Sequence, residues 1–171
     1  MERAPAGAAR PDSTTWRWAV GLRLRGRGTP LIVYADTSAL IKLLIDEPET
    51  AETQEALASA TAVATSTISY VEARAALARM RAGRRFGERD MRRARRDLDQ
   101  MWLDMLSVPT DDELLATAAE LADEHSLRGY DAIQLATAAS LQGARDLRFS
   151  CWDIELNAAA RRHGLRLSAP N

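Results

Sequence analysis

The stretch Leu31-Ile-Val-Tyr-Ala-Asp-Thr-Ser-Ala-Leu40 decides how the chain is read. It opens as an apolar run rich in branched residues, the composition of a strand buried on both faces. It closes on an acid, Asp36, and two hydroxyl residues, Thr37 and Ser38, before Ala39–Ile45 reads as an apolar helix. A carboxylate where a buried strand hands over to a helix sits at the strand's carboxyl end, where open α/β sheets build their sites. The same position also suits a helix N-cap. Taken alone, Asp36 fits either role.

Working outward, the pattern of strand and helix repeats. Ala62–Ser66, Leu106–Pro109, Asp146–Trp152 and Leu165–Ser168 read as short strands. Asp46–Glu49 reads as a turn and a fresh helix start, with Pro48 near the first turn of a helix running to about Ala60, and another helix is expected from Thr67 to Met80. Another runs from Arg81 to Met105, broken near Gly83 and Gly87, and others cover 111–125, 129–141 and 154–163, the last closed by Gly164. The order β-α-α-β-α-α-β-α-α-β-α-β predicts an α/β fold with a mainly parallel central sheet and helices on both faces. Met101, Trp102, Met105 and Leu106 are expected in the core. So is the stripe Leu114, Leu115, Ala118, Leu121 and Ala122, with Asp111 and Asp112 as caps.

Composition narrows the class. The chain has 171 residues, 46% of them hydrophobic and 27% charged, enough for one domain with a sizeable core. No apolar run is long enough to span a membrane. The single cysteine, Cys151, cannot form an internal disulfide, which makes a reducing, cytoplasmic setting the default. Residues 1–30 carry six Arg against Glu2 and Asp12, whereas the remainder has 17 basic and 22 acidic residues. Residues 1–30 are read as a disordered or spurious N-terminal extension, because Leu31 can be encoded by a TTG or CTG start codon; the domain is expected at 31–168. Between Arg74 and Arg96 ten arginines stand against Glu88 and Asp90. That run is either a solvated helical face or a stripe for phosphates.

Four acids stand out by context. Asp36 and Asp153 end buried strands, while Glu72 and Asp131 open alanine-rich helices. In a parallel sheet these positions share one edge, so the four carboxylates can converge. Glu72 could equally complement its helix dipole. Asp131 lies beside Ala132, Leu135, Ala136, Ala138 and Ala139, and an acid at the rim of so apolar a helix needs a partner. Clustered carboxylates repel unless a cation neutralises them, and an oxygen-only ligand set suits Mg²⁺ or Mn²⁺. Such ions equip a site for attack of water on a phosphodiester. Zinc clusters, EF-hand loops, P-loops and G-x-S-x-G elbows are absent from the sequence. A haloacid-dehalogenase-type phosphatase would want an acid where Ser38 stands. His125 and His163 read as structural, and Cys151 as a buried, unreactive thiol.

These residues resemble the PIN-domain ribonucleases, particularly VapC-type toxins of bacterial toxin–antitoxin pairs. Ile32–Leu43 with Glu47-Pro48 is similar to their opening, and Ser69-Tyr-Val-Glu-Ala-Arg74 to their second motif. Gly129-Tyr-Asp-Ala-Ile-Gln-Leu-Ala-Thr-Ala138 is similar to the third, and Phe149–Asp153 with Leu156–Ala160 to the fourth. The resemblance spans about residues 31–168. It implies a PIN-like fold and a metal-dependent endoribonuclease cutting single-stranded RNA regions, with Asp36, Glu72, Asp131 and Asp153 as catalytic metal ligands and Ser38 supporting Asp36. Mg²⁺ or Mn²⁺, an RNA substrate, a cognate antitoxin and a homodimer follow from the same likeness. Family members commonly carry Thr or Ser where this chain has Cys151, a poorer hydrogen-bond donor. The competing readings are a non-toxin PIN nuclease in RNA processing and a non-catalytic PIN-like RNA- or protein-binding module.

Overall fold

The computed structural model describes residues 30–83, 87–143 and 146–168. The expected N-terminal extension therefore lies outside the described residues, apart from Pro30. The elements are β1 (Leu31–Ala35), α1 (Thr37–Leu44), α2 (Thr50–Ala58), β2 (Ala62–Ser66), α3 (Ile68–Ala82), α4 (Glu88–Trp102), β3 (Leu106–Val108), α5 (Asp112–His125), α6 (Gly129–Ser140), β4 (Asp146–Ser150), α7 (Ile154–Arg162) and β5 (Arg166–Leu167). Among the described residues this reproduces the expected order of strands and helices. No helix there is long and apolar enough to cross a membrane.

The five strands form one sheet in the order β3-β2-β1-β4-β5, every pairing parallel. The two-residue alternation of β1 explains its unbroken apolar sequence. Val33 and Ala35 face a layer built from α1, α3 and α4, including Leu40, Ala73, Leu77, Met91, Leu98 and Met101. Ile32 and Tyr34 face the opposite layer, with Leu121, Leu135 and Leu156 from α5, α6 and α7. Each layer covers one face, so both sides of the central strand need apolar side chains.

Local expectations fare unevenly. Gly164 follows α7 with φ +86°, the left-handed turn that ends a helix, as expected. Asp46–Glu49 forms the expected turn, and α2 starts at Thr50, after Glu49 takes φ +66°, with Pro48 just ahead of its first turn. Lys42 pairs with Glu47 and Glu49, and the Thr50 hydroxyl donates to the Lys42 carbonyl, so this turn is tied to α1. Leu106 and Leu115, expected in the core, are both 44% exposed. Leu106 sits on β3, which among the described residues is the edge strand of the sheet. Trp102 is only partly buried and packs against Tyr70.

Chain direction reverses across β1: β2 and β3 are laid down on one side, β4 and β5 on the other. The β1/β4 boundary is thus the switch point of the sheet, and the crevice at its carboxyl edge is where such folds place ligands.

Candidate active site

Asp36 and Asp153 stand on either side of that crevice. Ala35 pairs with Ser150 at the ends of β1 and β4, and the Asp36 amide donates to the Ser150 carbonyl at 3.0 Å. Asp36 is 5% exposed. Its Oδ1 accepts the Ala39 amide at 3.0 Å and the Ser38 hydroxyl at 2.7 Å, so it both caps α1 and faces the site edge. Burial pushes its pKa up to about 6, against the pull of the Ser38 and Ala39 hydrogen bonds. Asp153 caps α7 in the same manner, accepting the Leu156 amide at 2.9 Å, but is exposed.

Glu72 is the fifth residue of α3, a full turn in, so it does not serve the first-turn dipole role. Its Oε2 accepts the Thr37 hydroxyl at 2.6 Å and the Gln134 amide at 2.7 Å. Asp131 lies in the first turn of α6, half-buried, and no hydrogen-bond donor reaches its carboxylate among the described residues. Burial raises its pKa first, then the neighbouring charges of Asp153 and Glu72; Arg128 pulls the other way and Glu155 adds to the rise. Asp131, Asp153 and Glu72 thus share one electrostatic field.

Convergence is partial. Among the described residues, no group of three or more acidic, thiol or imidazole side chains is preassembled to hold an ion. Asp36 and Asp153 each spend an oxygen on a donor of the helix they cap, and Glu72 spends one on Thr37 and Gln134. The chemistry of the donor set still fits a hard divalent cation, because it is all oxygen and Asp131 has a field of like charges without a donor. A cavity of about 510 Å³ is lined by Val108, Pro109, Asp111, Glu113, Leu114 and Ala136 among others. None of the four acids lines it.

Ser38 and Cys151 knit the two strand ends together. The Ser38 hydroxyl accepts the Trp152 amide at 2.7 Å and donates to Asp36, joining the loop after β4 to the start of α1. Cys151 Sγ accepts the Asp153 amide at 3.2 Å and lies 3.8 Å from the Ser38 oxygen. Asn157 holds the Cys151 carbonyl at 2.9 Å. Burial above all, and then the Asp36 carboxylate, push the thiol pKa up, which keeps it protonated. Iodoacetamide is therefore expected to leave Cys151 unmodified in the native protein and to label it in denaturing urea. Mass spectrometry showing full labelling of the native chain would refute this. His125 and His163 meet edge to face at the ends of α5 and α7, ring centroids 6.0 Å apart.

Sequence reasoning missed Gln134, Thr37, Arg128 and Glu155. Gln134 had a signal: it is the one polar side chain amid the apolar positions 132–136 of α6. The others follow from neighbours that only folding supplies.

The arginine run is partly neutralised within the chain. Arg74 pairs with Asp99, Arg81 and Arg92 with Glu88, and Arg93 with Asp97. Arg79, Arg89 and Arg96 are exposed.

A parallel α/β sheet with Asp36 and Asp153 at its switch point defines a class of fold, and comparison gives that class a family. The PIN domain family profile matches residues 33–150. Ribonuclease VapC45 of Mycobacterium tuberculosis (strain CDC 1551 / Oshkosh) is 37% identical over 146 residues, covering 80% of this chain and 94% of that protein. Ribonuclease VapC47 of the same strain is 37% identical over 145 residues, covering 81% and 97%. The chain belongs to the PIN-domain family, as a VapC-type ribonuclease member. Its fold is shared with a solved structure of Mycobacterium tuberculosis VapC20, described as a sarcin–ricin loop cleaving toxin, at TM-score 0.57 and 20% identity over 74% of this chain and 94% of that one.

Proposed function

We propose that the chain is a Mg²⁺- or Mn²⁺-dependent endoribonuclease toxin that cuts single-stranded regions of RNA and is silenced by a cognate antitoxin. The observation that carries this is Asp131: a carboxylate without a donor, in the field of Asp153 and Glu72, at the switch-point edge of a VapC-type chain. Asp36, Glu72 and Asp131 would hold one ion, with Asp153 contributing to it or to a second. When bound, the ion supplies an activated water and neutralises charge developing on the phosphate. Ser38 holds Asp36 in its rotamer, and Arg128 offers a cation for an incoming phosphate beside Asp131. The exposed arginines of α3 and α4 suit RNA guidance or an acidic antitoxin segment. The family likeness supports a homodimer and a cytoplasmic setting.

The test is purified full-length chain with total bacterial RNA, in Mn²⁺ and in EDTA, with mapping of new 5′ ends. Discrete internal cuts that need the metal are expected. Intact RNA in both, or cuts that persist in EDTA, would overturn the proposal.

A further inference from the structure

Asp36 and Asp153 are held by donors at the start of the helix each one caps, whereas Glu72 is held by side chains from two other helices. Both hydrogen bonds to its side chain fall on one oxygen, Oε2, from the Thr37 hydroxyl at 2.6 Å and the Gln134 amide at 2.7 Å. Thr37 is the first residue of α1, directly after Asp36. Gln134 lies three residues after Asp131 on α6, so the helix that presents one acid also grips another.

The grip extends into the core. Gln134 is 2% exposed, yet its amide is fully engaged. Its Nε2 also lies 3.1 Å from Thr37 Oγ1 and 3.0 Å from Ser69 Oγ. Its Oε1 accepts the Tyr34 phenol at 2.5 Å. Tyr34 is buried in the central strand with its ring stacked on Phe149 of β4, centroids 5.6 Å apart and planes within 5°. The Glu72 carboxylate can only accept, so the NH₂ end of the amide must face it and Oε1 is left for the Tyr34 phenol, which gives the amide one workable orientation. Thr37 spends its proton on Glu72 and is left as an acceptor for Gln134. The two amide hydrogens of Gln134 serve three acceptors, of which Glu72 Oε2 is the nearest, with Thr37 and Ser69 Oγ sharing what remains. Such a network is expensive to maintain unless each member is satisfied.

We infer that Gln134, braced by Tyr34 and assisted by Thr37, is a positioning residue that fixes Glu72 to offer a single oxygen, Oε1, to a divalent cation. This rests on the metal-dependent reading above. Holding a ligand by its outer oxygen removes a rotation that would otherwise be lost on ion binding, and partners of this kind commonly govern metal affinity.

The test is Mn²⁺ binding by the full chain, measured by calorimetry without RNA, with folding followed by circular dichroism. Thr37→Ser keeps the hydroxyl and should bind Mn²⁺ as the wild type does. Thr37→Val and Gln134→Leu should each weaken Mn²⁺ by about tenfold or more. The double variant should lose less than the product of the two, because both act on one oxygen. Folded Thr37→Val and Gln134→Leu proteins that bind Mn²⁺ as tightly as wild type would overturn the inference while leaving the nuclease reading intact. A wild type that binds no Mn²⁺ would overturn both. If Gln134→Leu fails to fold, the Thr37→Val and Thr37→Ser pair decides alone, since that site is only half-buried.

Discussion

Asp131→Asn is expected to abolish RNA cleavage, by about a hundredfold or more, while the protein stays folded. The magnitude follows from what outer-shell partners of metal ligands are worth, about 10- to 100-fold, with a direct ligand at or above that range. Stability should be spared or improved, because among the described residues no hydrogen bond to the carboxylate is lost, and the repulsion from Asp153, Glu72 and Glu155 outweighs the attraction of Arg128. Asparagine removes one charge from that group and keeps the shape. The measurement is cleavage in Mn²⁺ beside a thermal melt in EDTA. A folded Asp131→Asn protein that cuts at wild-type rate would remove Asp131 from the chemistry. A variant that fails to fold would make the residue structural.

The second large effect concerns stability and takes its sign from Asp36. Its folded pKa, about 6, lies above the ordinary carboxyl value, because burial disfavours the charged form. A raised acid stabilises the fold relatively below its unfolded pKa, near 4, and that stabilisation is lost as pH climbs through 6. About two pKa units correspond to about 3 kcal/mol above that window. Asp36→Asn keeps an oxygen for the Ala39 amide and the Ser38 hydroxyl but never ionises. In EDTA the variant should therefore match wild type near pH 4 and melt about 5–10 °C higher at pH 8, by the usual conversion for a domain of this size. Mn²⁺ should close the gap by stabilising the charged wild type. Equal differences in melting temperature at pH 4 and pH 8 would show that ionisation of Asp36 is not the cause. The effect expresses a trade between stability and function that is common at built sites.

Alternative readings weigh differently after the structure. A non-catalytic binding module would give no metal-dependent cuts, so the comparison of Mn²⁺ with EDTA separates it from the nuclease reading. The arginine run, half spent on internal ion pairs, is a weaker phosphate stripe than its sequence suggests.

Much of the fold was legible because a parallel sheet needs strands buried on both faces. Leu31–Ala35 announces that by being apolar at every position, and Asp36, Asp111 and Asp153 announce the helices that follow by capping them. The positions of the four acids at strand ends and helix starts are consequences of chain direction, which sequence order carries. What did not carry over was exposure at the periphery: Leu106 and Leu115 read as core by period alone, yet β3 is an edge strand and α5 turns part of its stripe outward.

By itself, then, the sequence determined the succession of elements, the two-sided burial of β1 and the identities of the acids, since these depend on local composition and period. Only the tertiary structure decided which strand lies beside which, that β1 and β4 form the switch point, and which atoms hold each acid. Glu72 and Gln134 are 62 residues apart in the chain and 2.7 Å apart in space. Hydrogen bonds between such distant residues depend on how helices pack across the sheet, and no local pattern encodes that distance.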